Sequence, residues 1–363
     1  MDDEIFNEIV SEHNFKESHR QTKLGKTKYT LDAVEFNRNE TFNLEELRQE
    51  VISGMYNFSD YTSFYVYEPK ERLIHAPRYR DKIVQCAINN VIKKIYFPKF
   101  IKDSYSCIDN KGTLKCANRI SEFMYKAHNN YGDEATVIKI DIKKFFYTIN
   151  RNILKDIIKI KLKCKRTLEL LFKVIDSADS ISKLGIPLGN TVSQICSNIY
   201  MDIVDQFCKR RMSLKYYVRY ADDIVIIVKD KETAKYSLNK ILSFIYEKLE
   251  LKENQNKTKI FPIKQGVNAI GFKIYINYRL LRDNSKKRIK SKLSRFIFLI
   301  NNGRILKFKA EQMINSWLGH ARNACSYNFL QYIMGRFKYL YYNKKLNLKI
   351  SGDYLKGGQY AYN

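Results

Sequence analysis

The 363-residue chain predicts an α+β protein, on three observations. Apolar residues recur at helical spacing near both ends, β-forming runs cluster in the middle, and no Ser/Gly linker or repeat separates independent modules. With only five prolines and fourteen glycines the lobes form one continuous assembly, long enough for two or three of them around a sizeable core.

Residues 1–60 read as a mostly helical N-terminal lobe, in which Leu44, Leu47, Val51 and Ile52 share a face before Gly54 ends the turn. "SFYVYEPKERLIHAP" (63–77) alternates around a charged turn and predicts a hairpin. A helix follows from Asp81 to about Tyr96. "ATVIKIDIKKFFYTI" (135–149) opens as a buried strand and ends on Asp141 followed by aromatics. Helices are expected over roughly 151–176, and another through "SNIYMDIVDQFCKR" after the glycine-containing "KLGIPLGNTVSQ" (183–194). "EKLELKENQNKTKIF" and "AIGFKIYINYRLL" supply a loop and further strands. From about Lys286 the pattern is helical again, with Ile289, Leu293, Phe296, Ile297 and Ile300 on one face.

Lys and Arg outnumber Asp and Glu by 65 to 38, a formal charge of +27 spread along the whole sequence. Together with 27 tyrosines this points to a polyanionic partner, against the blander reading of a solvated basic surface. Seven cysteines, an odd number without a CxxC, indicate neither a disulfide framework nor a zinc knuckle, and the five histidines show no metal spacing. No apolar run approaches the roughly 18–20 residues of a membrane span, and "MDDEIF" is unlike a targeting segment, so a cytoplasmic protein with no membrane partner is expected.

The chemistry concentrates at "YVRYADDIVIIVKD" (217–230), where Asp222 and Asp223 interrupt two β-forming runs at a hairpin tip. Adjacent carboxylates repel, and persist at neutral pH when solvated or when cations neutralise them. A divalent ion such as Mg²⁺ takes one or two protein carboxylates and fills its octahedron with water and phosphate oxygens. The strand ending in Asp141 offers a third acid, provided 137–141 and 216–220 are neighbours in one sheet. Two such ions would support in-line displacement at phosphorus. A solvated "ADD" turn is the competing reading of the short string alone.

"YADD" within "YVRYADDIVII" resembles the catalytic hairpin of reverse transcriptases, and "IKIDIKKFFYTI" resembles their first acidic motif. The resemblance implies a right-hand polymerase: an N-terminal helical lobe (1–60), fingers and palm with an antiparallel catalytic sheet (61–283, fingers to about 130 and an insertion near 151–184), and a helical thumb (284–363). It implies RNA-templated synthesis of DNA from dNTPs with two Mg²⁺ ions, or Mn²⁺ in their place. Asp141 and Asp222 would bridge the metals, Asp223 would support them, and Ile142 would lie in the ligand set beside Asp141. Phe146, five residues after Asp141, would lie beneath the sugar and exclude a 2′-hydroxyl. "GIPLGNTVSQ" resembles the motif at the incoming nucleotide and template, giving Pro187, Leu188 and Gly189 to the dNTP and Asn190, Ser193 and Gln194 to the template–primer. Arg72 and Lys111, in segments resembling the fingers motifs, would contact the triphosphate. Lys257 in "NKTKI" would act near the pyrophosphate as general acid, Gly271 and Phe272 in "AIGFKIY" would form the primer grip, and "SWLGHARNA" resembles a thumb signature. Lys287, Arg288, Lys292 and Arg295 would meet backbone phosphates.

Leu188 and the "SQ" at 193–194 stand where most of the family has Gln and "SP", a variant resembling the enzymes of diversity-generating retroelements. The resemblance implies reduced fidelity, a template-repeat or structured noncoding RNA and an accessory protein. Related enzymes serve antiviral defence with the same chemistry. No RNase H, nuclease or integrase module is expected after the thumb. The rivals are a template-independent nucleotidyl transferase, which Phe146 disfavours for ribonucleotides, and an RNA-binding scaffold, which the intact acids disfavour.

Overall fold

The computed structural model describes residues 3–67, 71–177, 183–304 and 307–336. The turn of the 63–77 hairpin, part of the expected insertion and the last stretch of the expected thumb lie outside the described residues.

Helices α1 (Glu4–Ile9), α2 (Glu12–Lys23), α3 (Leu31–Arg38) and α4 (Glu40–Ser53) build the N-terminal lobe. Ser11 caps α2 by accepting from the Asn14 amide, and Gly54 ends α4 at φ +78°, a conformation only glycine takes without strain. The hairpin of β1 (Thr62–Val66) and β2 (Arg72–Ala76) follows, then α5 (Tyr79–Tyr96). The Asn14 side chain ties the lobe to α5, donating to the carbonyls of Ile9 and Ala87.

Beyond α6 (Thr113–Tyr131) the chain enters β3 (Thr136–Asp141), the short α7 (Phe145–Thr148), α8 (Arg151–Lys161), α9 (Lys165–Asp176) and α10 (Thr191–Gln206). The catalytic-type hairpin is β4 (Tyr216–Tyr220) and β5 (Asp223–Val228), followed by α11 (Lys231–Leu249) and β6 (Lys259–Pro262). These strands form one antiparallel sheet in the order β4-β5-β3-β6. Residues 137–141 and 216–220 therefore share a sheet without being neighbours: β5 lies between them. Both faces are covered. Ile138, Ile140, Ile224 and Ile226 join the main core on the face covered by α11, and Val137, Val225 and Ile227 face α6 and a second sheet.

That second, three-stranded sheet is β7 (Val267–Ala269), β8 (Phe272–Ile274) and β9 (Arg279–Leu281). Helices α12 (Asp283–Asn301), α13 (Lys307–Ala321) and α14 (Tyr327–Arg336) close the described chain around a small core of Ile289, Leu293, Ile314, Leu318 and Ile333. One element is added and one expectation changes: residues 231–249, for which the sequence reading names no element, form a helix capped by Asp230 accepting from the Thr233 amide, and α10 starts at Thr191, earlier than expected.

Candidate active site

The site is built at one end of the four-stranded sheet. Register places Asp141, the last residue of β3, opposite Asp223, the first of β5, while Tyr220 pairs with Asp223 across a two-residue turn of Ala221 and Asp222. Ala221 sits at φ +55°, a left-handed conformation that a β-carbon disfavours, so the turn holding the acids is strained.

One residue that sequence reasoning passed over holds this turn. Arg219 is completely buried and makes a bidentate pair with the equally buried Asp205 of α10, at 2.8 and 2.7 Å. Its remaining nitrogen donates to Asn198 Oδ1 (3.1 Å) and to the Ala221 carbonyl (3.0 Å), so the guanidinium fixes the loop from below. Tyr217 adds its hydroxyl to Asp205 at 2.6 Å. The signal was present: a charged residue at an apolar position of a strand needs a buried partner.

Electrostatics at the sheet end favour a cation. Burial pushes the Asp222 carboxyl up to about 6, and the charges of Asp223 and Asp141 push the same way. Asp223 Oδ1 is buried without a hydrogen bond, the nearest cation being Lys139 Nζ at 3.6 Å. Lys257 Nζ lies 2.7 Å from both oxygens of Asp141. Among the described residues no three His, Cys, Asp or Glu side chains close around a single point. The cluster is instead a set of neighbouring hard-oxygen donors, one of them orphaned, which fits a Mg²⁺-type ion needing one or two protein carboxylates. Ile142 is core, and its backbone bridges Glu253, so only a carbonyl could take part.

The residues expected on the nucleotide side cluster around α7, which follows Asp141 in the chain. Phe146 in α7 packs edge-on against Phe145 (centroids 5.5 Å), and its carbonyl accepts the Ile186 amide at 2.9 Å. Gly185 donates to the Ile149 carbonyl, and Arg151 gathers the carbonyls of Gly185 (2.6 Å) and Leu184 (3.3 Å), fastening the 183–190 loop beside α7. Pro187 is buried in this loop and Leu188 is half-buried. The Leu188 carbonyl accepts the His75 amide at 2.8 Å, and a β-carbon at Gly189 (φ +122°) would meet Ile74 Cγ2 at 2.9 Å and the His75 carbonyl at 3.0 Å. The loop and the β1–β2 hairpin thus touch backbone to backbone. Arg72 is exposed at the start of β2, with no ion pair among the described residues.

Several expected contacts are otherwise engaged. Lys111 donates to the carbonyls of Lys102 and Ser104, both at 2.7 Å, because a partly buried ammonium needs acceptors. It braces the segment whose Asp103 carbonyl and Tyr105 amide bond the Arg219 backbone. Asn190 is buried as the N-cap of α10, accepting from the Ser193 amide at 2.5 Å, and Ser193 is buried with it; Gln194 alone of the three is exposed. Phe272 is also buried, stacked on His320 of α13 at 4.4 Å, so the expected primer grip could offer its Ile270–Gly271 turn rather than this ring. On α12, Lys287, Arg288 and Arg295 are exposed and Lys292 is half-buried.

The COX1/OXI3 intron 2 protein of Saccharomyces cerevisiae is 24% identical over 348 residues, covering 76% of this chain and 39% of that protein. Protein YkfC of Escherichia coli K12 is 25% identical over 285 residues, covering 67% of this chain and 72% of YkfC. The Escherichia coli retron Ec48 reverse transcriptase is 24% identical over 232 residues, with 61% and 54% covered. The chain thus spans about two fifths of the intron protein and about half of the retron enzyme. The family described as reverse transcriptase (RNA-dependent DNA polymerase) matches residues 68–274, more than half of the sequence, and the three acids, Phe146 and the 183–190 loop all fall inside that span: the chain belongs to the reverse transcriptase family.

Proposed function

We propose that the protein is an RNA-directed DNA polymerase that copies a structured noncoding or template-repeat RNA into cDNA. The observation that carries this is the register of Asp141 against Asp223, with Asp222 in the intervening turn. Asp141 and Asp222 would hold divalent ions with Asp223 in support. When bound, these ions would supply charge stabilisation to an in-line displacement at phosphorus. The chain's own residues do the positioning. Arg219 and Asp205 fix the turn that carries Asp222, and α7 sets Phe146 beside the loop of Pro187, Leu188 and Gly189. Lys257 stands at hydrogen-bond distance from Asp141, where its ammonium can hold a proton for a departing phosphate oxygen.

Metal-dependent incorporation of dNTPs on an RNA template tests the reading, with Asp222→Ala as control. Incorporation that survives in Asp222→Ala, or that prefers NTPs, would defeat it. Leu188 supports a finer reading, error-prone copying for retroelement diversification with an accessory protein, because an aliphatic side chain supplies no hydrogen bond to police the template base. Leu188→Gln should then narrow the misincorporation spectrum in primer extension, and an unchanged spectrum would remove this reading. The same chemistry would serve antiviral defence.

A further inference from the structure

One charged side chain breaks an otherwise apolar face of the four-stranded sheet. Alternation along β3 turns Val137, Lys139 and Asp141 to the same face, where Val225 is the partner of Lys139 on β5 and Val218 the next residue across on β4. Only 15% of the Lys139 side chain is exposed. Register sets Lys259 of β6 directly opposite, a like-charge pair that a sheet disfavours. A lysine here needs acceptors, and it has one on each of two sheets. Its Nζ donates to the Asn268 carbonyl of β7 at 2.9 Å and lies 3.6 Å from the buried Oδ1 of Asp223, which accepts no hydrogen bond.

A second cation repeats the arrangement. Arg282, between β9 and α12, is half-buried, and its Nε donates to the Phe272 carbonyl of β8 at 3.3 Å. Burial lowers the pKa of its guanidinium, and the charge of Asp223 opposes that shift, so the same carboxylate faces this cation too. The Arg282 carbonyl in turn accepts the Ser285 and Lys286 amides that open α12. Asp223 thus faces two cations, each fastened to the backbone of a different strand of the three-stranded sheet. Because Asp223 stands opposite Asp141 in register, a force on its carboxylate is felt at the sheet end where the acids gather.

We propose that Lys139, with Arg282 beside it, is a positioning residue that clamps the three-stranded sheet to Asp223, so that the β7–β8 hairpin and α12 aim this acid and the ammonium limits how tightly the acids take a divalent ion. The consequence for turnover rests on the nucleotidyl-transfer reading, whereas the clamp stands on its own contacts.

The test compares, in the full chain, Lys139→Met, which keeps the stem and removes the ammonium, with Lys139→Arg, which keeps a cation. Mn²⁺ binding without nucleotide, followed by electron paramagnetic resonance, should tighten about threefold or more in Lys139→Met, because a positive charge beside the acids is gone, and return toward the wild type in Lys139→Arg. Primer extension by Lys139→Met should show kcat reduced about tenfold or more, with the dNTP KM within about twofold, since the lysine touches no substrate. A lysine with only a structural role would instead give weaker Mn²⁺ binding together with a lower melting temperature. Amide exchange at residues 267–269 reads the coupling: Lys139→Met and Asp223→Asn should each speed it about fivefold or more, and the double variant should add little to either, as for two ends of one contact. Mn²⁺ affinity that is unchanged or weaker in Lys139→Met overturns the proposal, as does an unchanged kcat or an additive effect on exchange. A wild type that shows the coupling and the Mn²⁺ response but incorporates no dNTP would sink the proposed function while leaving the clamp in place.

Discussion

Arg219 shows most directly how a single side chain sets the geometry of the acids. Its fully buried guanidinium satisfies Asp205, Asn198 and the Ala221 carbonyl at once, so removing it strands a buried carboxylate and releases the strained turn. Arg219→Ala should cost about 3–5 kcal/mol in chemical denaturation. Arg219→Lys keeps a charge but cannot reproduce the fork; it should fold and lose kcat far more than it raises the dNTP KM, because it displaces Asp222 rather than a group that touches substrate. Asp202, one turn before Gln206 on α10, carries a testable pH dependence. Burial raises its carboxyl to about 6, although Gln206 donates to it at 3.0 Å. A native pKa above the unfolded one means the folded state binds more protons between about 4 and 6, so stability falls as pH rises through that window. The cost is fully present at pH 7.5. Asp202→Asn should therefore stabilise the protein by about 1–2 kcal/mol at pH 7.5 and by nearly nothing at pH 4, read from urea midpoints.

At the scale of elements, the two-residue turn Ile270–Gly271 joins β7 to β8 with both residues at positive φ, +49° and +85°. Ile270, a β-branched residue, is strained there, and a β-carbon at its neighbour Gly271 would crowd His320 Cε1 at 3.0 Å and Nε2 at 3.1 Å, so the imidazole would have to shift slightly on top of the positive-φ cost. The turn is where the three-stranded sheet touches α13, with Phe272 stacked on the same histidine. Gly271→Ala should destabilise by about 1–3 kcal/mol and weaken template–primer binding together, measured by denaturation and by equilibrium binding. The polymerase-type hairpin reads more plainly in sequence than α11 does. Its period of two and its doubled acid stand out, while the exposed Tyr236 and Tyr246 of α11 blur a pattern otherwise marked by Ala234, Ile241, Ile245 and Leu249.

For the whole molecule the dominant quantity is the charge of +27. A nucleic-acid ligand would exchange counterions for lysine and arginine, so affinity should fall steeply with salt. Lys287, Arg288 and Arg295 are exposed along α12, the first helix after the β-sheets, where a duplex leaving the acids could be held. Replacing all three with Glu should flatten the slope of log K against log salt by about 0.9 for each phosphate that is no longer neutralised, measured by anisotropy from about 50 to 200 mM salt. An unchanged slope would take α12 out of the interface.

Local sequence was enough to single out the candidate carboxylates and to expect that Asp141 ends a strand, that Asp222 and Asp223 lie at a hairpin tip, and that the chain is α+β with helical ends. These follow from periodicity and from the cost of placing charge beside apolar strands. Long-range packing was needed to establish that β5 separates β4 from β3, that Asn190 and Ser193 are spent on a helix cap, that Phe272 faces His320 and that Arg219 has Asp205 beneath it. Periodicity shows which face of a segment is buried. Which neighbour covers it, and which buried donor meets which acceptor, depends on contacts between residues far apart in the chain.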